Sequence, residues 1–111
     1  MEFTRSHKVS RLIQKDLSEI FLNESKTHFS GLLISVTHVF VSKDFSTAKV
    51  YLSLFPTKNK ESFLKRINSR KKTIKLLLAK KTRSQLRKIP EIFFYIDSSI
   101  DHYEEVNDLL K

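Results

Sequence analysis

The sequence predicts an α+β domain in which helices cover one face of a small three-stranded sheet, in the order helix, strand, strand, helix, broken helix, strand. Three observations carry this reading. Apolar residues recur at helical spacing near the start of the chain. Two alternating β-branched runs follow, joined by a short turn. Helical spacing then resumes until Pro90 opens a last alternating run.

Val9, Leu12, Ile13, Leu17, Ile20 and Phe21 stand three and four residues apart, with Lys8, Arg11, Lys15, Asp16 and Glu19 mostly off that stripe, so a helix is expected over about residues 5 to 22. From Leu32 to Val41 the β-branched content favours a strand, with Ile34, Val36, His38 and Phe40 expected on one face and His38 half-buried there. A second strand is expected from about Thr47 to Phe55, where Ala48, Val50, Leu52 and Leu54 share one face and Lys49, Tyr51 and Ser53 the other. Ser42-Lys43-Asp44-Phe45-Ser46 is short and rich in turn formers, which makes an antiparallel hairpin the economical pairing.

After Pro56-Thr57, the positions Phe63, Ile67, Ile74, Leu77 and Leu78 restore a helical stripe. On an ideal wheel Lys65, Lys72 and Arg83 lie opposite that stripe, and Lys75 and Lys80 flank it. Arg70 and Lys81 fall in the middle of the apolar face, where a straight helix would bury two unpaired charges. A break is therefore expected near Asn68-Ser69-Arg70-Lys71, and a helix end near Lys80 to Thr82. Pro90 biases Ile89 towards extended backbone and introduces a third strand, Glu91 to Asp97, with Ile92, Phe94 and Ile96 on one face. The acidic tail from Asp101 to Lys111 is expected to add a turn of helix. With neither repeats nor linkers, residues 1–111 read as a single domain.

The formal net charge is +9, and it is concentrated. Between Lys58 and Lys88 there are 13 cations and one acid, Glu61, a net of +12, against 8 cations and 11 acids, a net of −3, elsewhere. Such a run lacks the compensating pairs of an ordinary solvated helix face and attracts polyanions. A membrane surface is the weaker partner, because the apolar face is needed for the sheet. The chain has no cysteine, which excludes disulfides and thiolate metal sites and fits a reducing compartment. Neither the segment Met1 to Lys8 nor any later run has the apolar length of a signal peptide or a bilayer span, so a soluble cytoplasmic protein is expected.

Catalytic chemistry finds little support. His7, His28, His38 and His102 show no metal-ligand spacing, no serine sits in a nucleophile elbow, and Gly31 is the only glycine, which rules out a glycine-rich phosphate loop. Asp44 and Asp97 lie at strand ends, where capping of the backbone outweighs a catalytic role. No metal, cofactor or enzymatic activity is expected. Phe93 and Tyr95, joined by Tyr51, form a set for stacking on bases, unless both faces of the sheet are covered.

Three stretches stand out together: Arg5-Ser6-His7-Lys8-Val9 with Ile13-Gln14-Lys15-Asp16-Leu17 and Ile20; Val39-Phe40-Val41-Ser42-Lys43-Asp44-Phe45-Ser46-Thr47-Ala48-Lys49-Val50-Tyr51; and Leu86-Arg87-Lys88-Ile89-Pro90-Glu91-Ile92, continuing to Phe94, Asp97, Ser99 and Ile100. In that order they resemble the opening helix, the hairpin and the last strand of the ribosome-binding factor A family, whose members are bacterial maturation factors of the small ribosomal subunit. The resemblance implies a type II KH-like fold, with the usual glycine clamp replaced by a helix-kink-helix that often carries a glycine. Here the equivalent Ser69-Arg70-Lys71 has none, and the segment from Ala79 to Pro90 is longer.

The function implied is binding to free 30S subunits during late maturation, with help to 5′-end processing of 16S ribosomal RNA and a part in cold adaptation. The expected partners are the subunit, its RNA and neighbouring ribosomal proteins, and the factor itself is expected to be a monomer. A general KH-like RNA binder or chaperone is the alternative, and a protein-interaction module using the sheet and acidic tail is a third class. The phosphate-contacting surface is assigned to Lys65, Arg70, Lys71, Lys72, Lys75, Lys80, Lys81, Arg83, Arg87 and Lys88, extended by Arg5, Lys8 and Arg11 of the first helix.

Overall fold

The computed structural model describes residues 5–29, 32–55, 59–83, 85–86 and 88–97. The elements are α1 (Arg5–Thr27), β1 (Leu33–Val41), β2 (Thr47–Phe55), α2 (Lys60–Ser69), α3 (Lys71–Thr82) and β3 (Glu91–Ile96). The expected tail helix, and Arg87 with it, lie outside the described residues.

The sheet order is β1-β2-β3, with β1 antiparallel and β3 parallel to β2. A parallel pair needs a crossover, and α2 with α3 supply it. Backbone bonds lock both ends of β3 to the hairpin: Glu91 N–H donates to Ser46 O at 2.9 Å and Asp97 N–H to Leu52 O at 2.8 Å. All three helices pack on one face of the sheet. Ile13, Leu17 and Phe21 of α1, Ile67 of α2, and Ile74 and Leu78 of α3 meet Val50 and Leu52 of β2 and Ile92 and Phe94 of β3. Phe21 and Phe94 close edge to face, with centroids 5.8 Å apart.

β1 departs from simple alternation. Its register shifts between Val36, which faces Leu52, and His38, which faces Tyr51, leaving Thr37 as the extra residue of a bulge. The Gln14 side chain of α1 donates to both Val36 O and Thr37 O, each at 3.2 Å, and so grips the bulge from the helix side. The bulge reverses parity. Val39 turns into the core, while His38 and Phe40, expected on the face of Ile34 and Val36, turn out to solvent.

α1 runs to Thr27, past the expected end at residue 22. The apolar stripe stops at Phe21 because the next inward position is Glu24, a carboxylate that a hydrophobic pattern does not register. Glu24 is only 6% exposed. It is held by Arg70, whose Nε donates at 2.7 Å and whose second guanidinium nitrogen donates at 3.2 Å to the other carboxylate oxygen.

Arg70 is also where the helix breaks. It caps α2 and starts α3 at φ −100° and ψ 9°, with its N–H donating to Ile67 O and its carbonyl accepting from Ile74 N–H. That is bridge-region backbone with negative φ, open to any residue, so this kink needs no glycine.

Glu24 is buried and Arg70 half-buried, so removing Arg70 takes the guanidinium from a buried carboxylate. Arg70→Ala is expected to cost about 2–4 kcal/mol in urea unfolding, and a Glu24→Leu/Arg70→Met double variant to recover most of it. Equal losses in the single and double variants would show that the pair does not anchor α1 to the break.

Candidate nucleic-acid interface

Twelve of the thirteen expected phosphate contacts fall into distinct groups once folded, and Arg87 lies outside the described residues. Arg70 faces inward on Glu24. Lys81 reaches across to α1, where its Nζ lies 2.6 Å from Glu19 Oε2. That hydrogen bond holds the Glu19 carboxyl below its ordinary range and raises the Lys81 ammonium. Lys71 and Lys75 both lie 3.3 Å from the carboxylate of Glu91 at the start of β3. Glu91 is lowered by Lys75 first and then by Lys71. These four cations therefore carry fixed carboxylate partners, and part of their field is cancelled at short range.

A second group faces solvent. Lys65 is exposed on α2. Lys72 and Lys80 stand eight residues apart on α3, with Leu76 midway, 65% exposed, so all three share one line of the helix. Arg83 extends that outer surface beyond the helix end.

A third group gathers from three separate elements. Arg5 and Lys8 of α1, Phe45 of the hairpin turn, and Lys88 with Gln85, Leu86 and Pro90 of the α3–β3 connection line a groove of about 670 Å³. Val9 and Leu12 add to its apolar lining. Arg11, one turn beyond Lys8, is exposed nearby on α1.

Phe45 is held in an unusual conformation. Its φ is 61°, a left-handed geometry that costs a bulky residue roughly 1–3 kcal/mol. Asp44 enforces it: its Oδ1 accepts from Ser42 Oγ at 2.7 Å, Ser46 Oγ at 2.7 Å and Ser46 N–H at 3.1 Å. The turn closes through Ser42 N–H donating to Thr47 O and Phe45 N–H donating to Ser42 O. In that pose the Phe45 ring lies beneath the Arg5 guanidinium, 5.9 Å from its centroid. Asp44 is thus a turn anchor, and the three donors, Ser42 first, hold its carboxyl at about 2. Asp97 likewise serves a strand end, accepting from Thr37 Oγ1 at 2.6 Å.

The residues that spacing missed sit on the hairpin. Lys43 of the turn and Lys49 of β2 are exposed cations outside the basic segment. His38 and Phe40 join the expected aromatics Tyr51, Phe93 and Tyr95 on the open face through the bulge. The alternation around Lys49 and Tyr51 was legible, but the bulge left no mark in residue type. Among the described residues no group of three or more His, Asp or Glu is placed to hold a metal, and no helix is long and apolar enough to cross a membrane.

The family model of ribosome-binding factor A matches residues 5–110. The ribosome-binding factor A of Cytophaga hutchinsonii is 43% identical over 110 residues, covering 99% of this chain and 83% of that one. That of Christiangramia forsetii is 41% identical over 111 residues, covering 99% and 85%. The crystal structure of ribosome-binding factor A from Thermus thermophilus superposes with a TM-score of 0.65 at 24% identity, over 84% of this chain and 97% of that one. A homology model of the Thermus thermophilus factor, fitted into a cryo-electron-microscopy map of its complex with the 30S subunit, gives 0.67 at 23% identity, over 86% and 97%.

The Asp44 anchor makes an acid-stability prediction. A carboxyl lowered from 3.8 to about 2 stabilises the fold fully above its ordinary value, and that contribution is lost as pH falls through its folded value. Thermal melts of the wild type and Asp44→Asn are expected to differ above pH 3.8 and to converge as the pH approaches 2. A constant gap across that window would mean that the charge of Asp44 does not secure the turn.

Proposed function

The chain belongs to the ribosome-binding factor A family, and on that basis we propose that it binds the free small ribosomal subunit through its ribosomal RNA during late maturation. In this reading it assists 5′-end processing of the 16S RNA, serves in the cytoplasm as a monomer, matters in adaptation to cold, and leaves without making or breaking a bond. The observation that carries the proposal is the convergence of Arg5, Lys8 and Lys88 from separate elements around one groove, beside the outward line of Lys72 and Lys80 on α3.

Phosphate contacts position a protein on RNA without reading sequence, so selection of the subunit rests on RNA shape and on adjoining ribosomal proteins. The thirteen cations contribute unequally. Lys65, Lys72, Lys80, Arg83, Lys88, Arg5, Lys8 and Arg11 present exposed charge to phosphates. Arg70, Lys71, Lys75 and Lys81 add a field already shared with carboxylates, and Arg87 completes the set.

Co-sedimentation with purified small subunits, large subunits and joined ribosomes tests this. Selective migration with free small subunits is expected, with log affinity falling against log salt at a slope of about −3.5 to −4.5 for roughly five neutralised phosphates. Lys72→Glu/Lys80→Glu is expected to weaken binding at unchanged thermal stability, and it is a cleaner reversal than one at Lys75, which Glu91 already holds. Equal migration with every particle would reduce the protein to a general RNA binder. Binding indifferent to the reversal would remove α3 from the interface.

A further inference from the structure

The face of the sheet turned away from the helices carries an ordered set of rings. Strand register places Phe40, Lys49 and Phe93 abreast on one rung, and His38, Tyr51 and Tyr95 abreast on the next. Five of these six side chains are aromatic, and four of the rings meet in series. His38 stacks on Phe40 at 6.0 Å, Phe40 meets Tyr51 edge-on at 5.9 Å, and Tyr51 stacks on Tyr95 at 5.4 Å. Phe40 is 58% exposed, and Phe93 and Tyr95 are each 41% exposed.

We propose that this open sheet face is a stacking platform for an unpaired segment of RNA. The proposal takes its ligand class from the ribosomal reading above, but it concerns a different surface and a different chemistry: bases on rings, in place of phosphates on the helical cations.

Charge selects the occupant. Lys49 stands in the middle of the first rung with Phe40 and Phe93 as its cross-strand neighbours, and Lys71 lies over the Phe93 ring at 4.8 Å. Of the carboxylates near this face, Glu91 is already held by Lys71 and Lys75, and Asp97 accepts from Thr37 and lies 3.9 Å from His38 Nε2. An apolar protein partner would bury Lys49 without a counter-charge. A second copy of the chain docked face to face would bring like charges together. Single-stranded RNA supplies flat π surfaces and phosphates on the same chain, which suits rings interleaved with a cation.

The test is titration of the full chain with a short unstructured oligouridylate and with an abasic ribose-phosphate chain of the same length. The chain has no tryptophan and three tyrosines, two of them Tyr51 and Tyr95, so tyrosine emission reports the platform directly. Quenching is expected with the oligouridylate and not with the abasic chain, and Phe40→Ala and Tyr95→Ala should each weaken binding by roughly 5- to 100-fold. Where an alanine variant fails to fold, the comparison of the two probes on the wild type decides. Equal affinity for the abasic chain, or unchanged affinity in folded alanine variants, overturns the proposal, as does concentration-dependent dimerisation abolished by Phe40→Ala. Co-sedimentation with small subunits separates the two readings. Subunit binding without oligouridylate binding removes the platform alone, and the reverse removes the subunit reading alone.

Discussion

The fold depends on how charge is handled beneath the helices. A single straight helix from Lys60 to Thr82 would carry Arg70 onto the apolar face, at the desolvation cost of a buried charge. The chain resolves this twice over. It bends at Arg70, and it extends α1 far enough to bring Glu24 against the guanidinium in a two-pronged contact. Lys81 and Glu19 repeat the arrangement nearer solvent. The two pairs tie the ends of α3 to α1, so the helical layer is registered by its charges as well as by Ile13, Leu17, Ile74 and Leu78.

A second constraint decides what the sheet shows to the outside. Without the extra residue at Thr37, His38 and Phe40 would follow Ile34 and Val36 into the core and Val39 would face water, since a one-residue slip moves every later side chain to the opposite face. Gln14 holds the bulge from the helix side by donating to both carbonyls, and Thr37 ties it to Asp97 at the end of β3. One bulge therefore buries a valine and exposes two rings.

Most of the architecture was legible because its signals are periodic. The hairpin boundaries, the break near Arg70 and the last strand after Pro90 all follow from spacing, from turn residues or from the penalty on buried charge. What was not legible depends on pairing between distant residues. Nothing local says that Glu24 will find Arg70, so the stripe of α1 ends too early on paper. Nothing in Val36-Thr37-His38 announces a bulge, because its partners are Gln14 and Tyr51. For the candidate site, composition located the basic segment. Only the fold separates Lys72 and Lys80, which face water, from Lys71 and Lys75, which share Glu91.

That separation explains how one small domain can present two kinds of surface. The carboxylates Glu19, Glu24 and Glu91 each take cations of the α2–α3 segment, lowering repulsion where the helices pack on α1 and the sheet edge. Lys72 and Lys80 point outward from α3, and Arg5, Lys8 and Lys88 gather at the groove, where attraction for phosphate weakens steeply with salt. The sheet face, built from rings around Lys49, adds flat surfaces on which bases can stack. Between them lies the Ser42–Thr47 turn, with Phe45 bent by its positive φ towards Arg5 and, a few residues to either side, Phe40 and Lys49 on the open face. The strain at Phe45 is stored where the cationic groove and the aromatic face adjoin, and Asp44 holds it there through three hydrogen bonds.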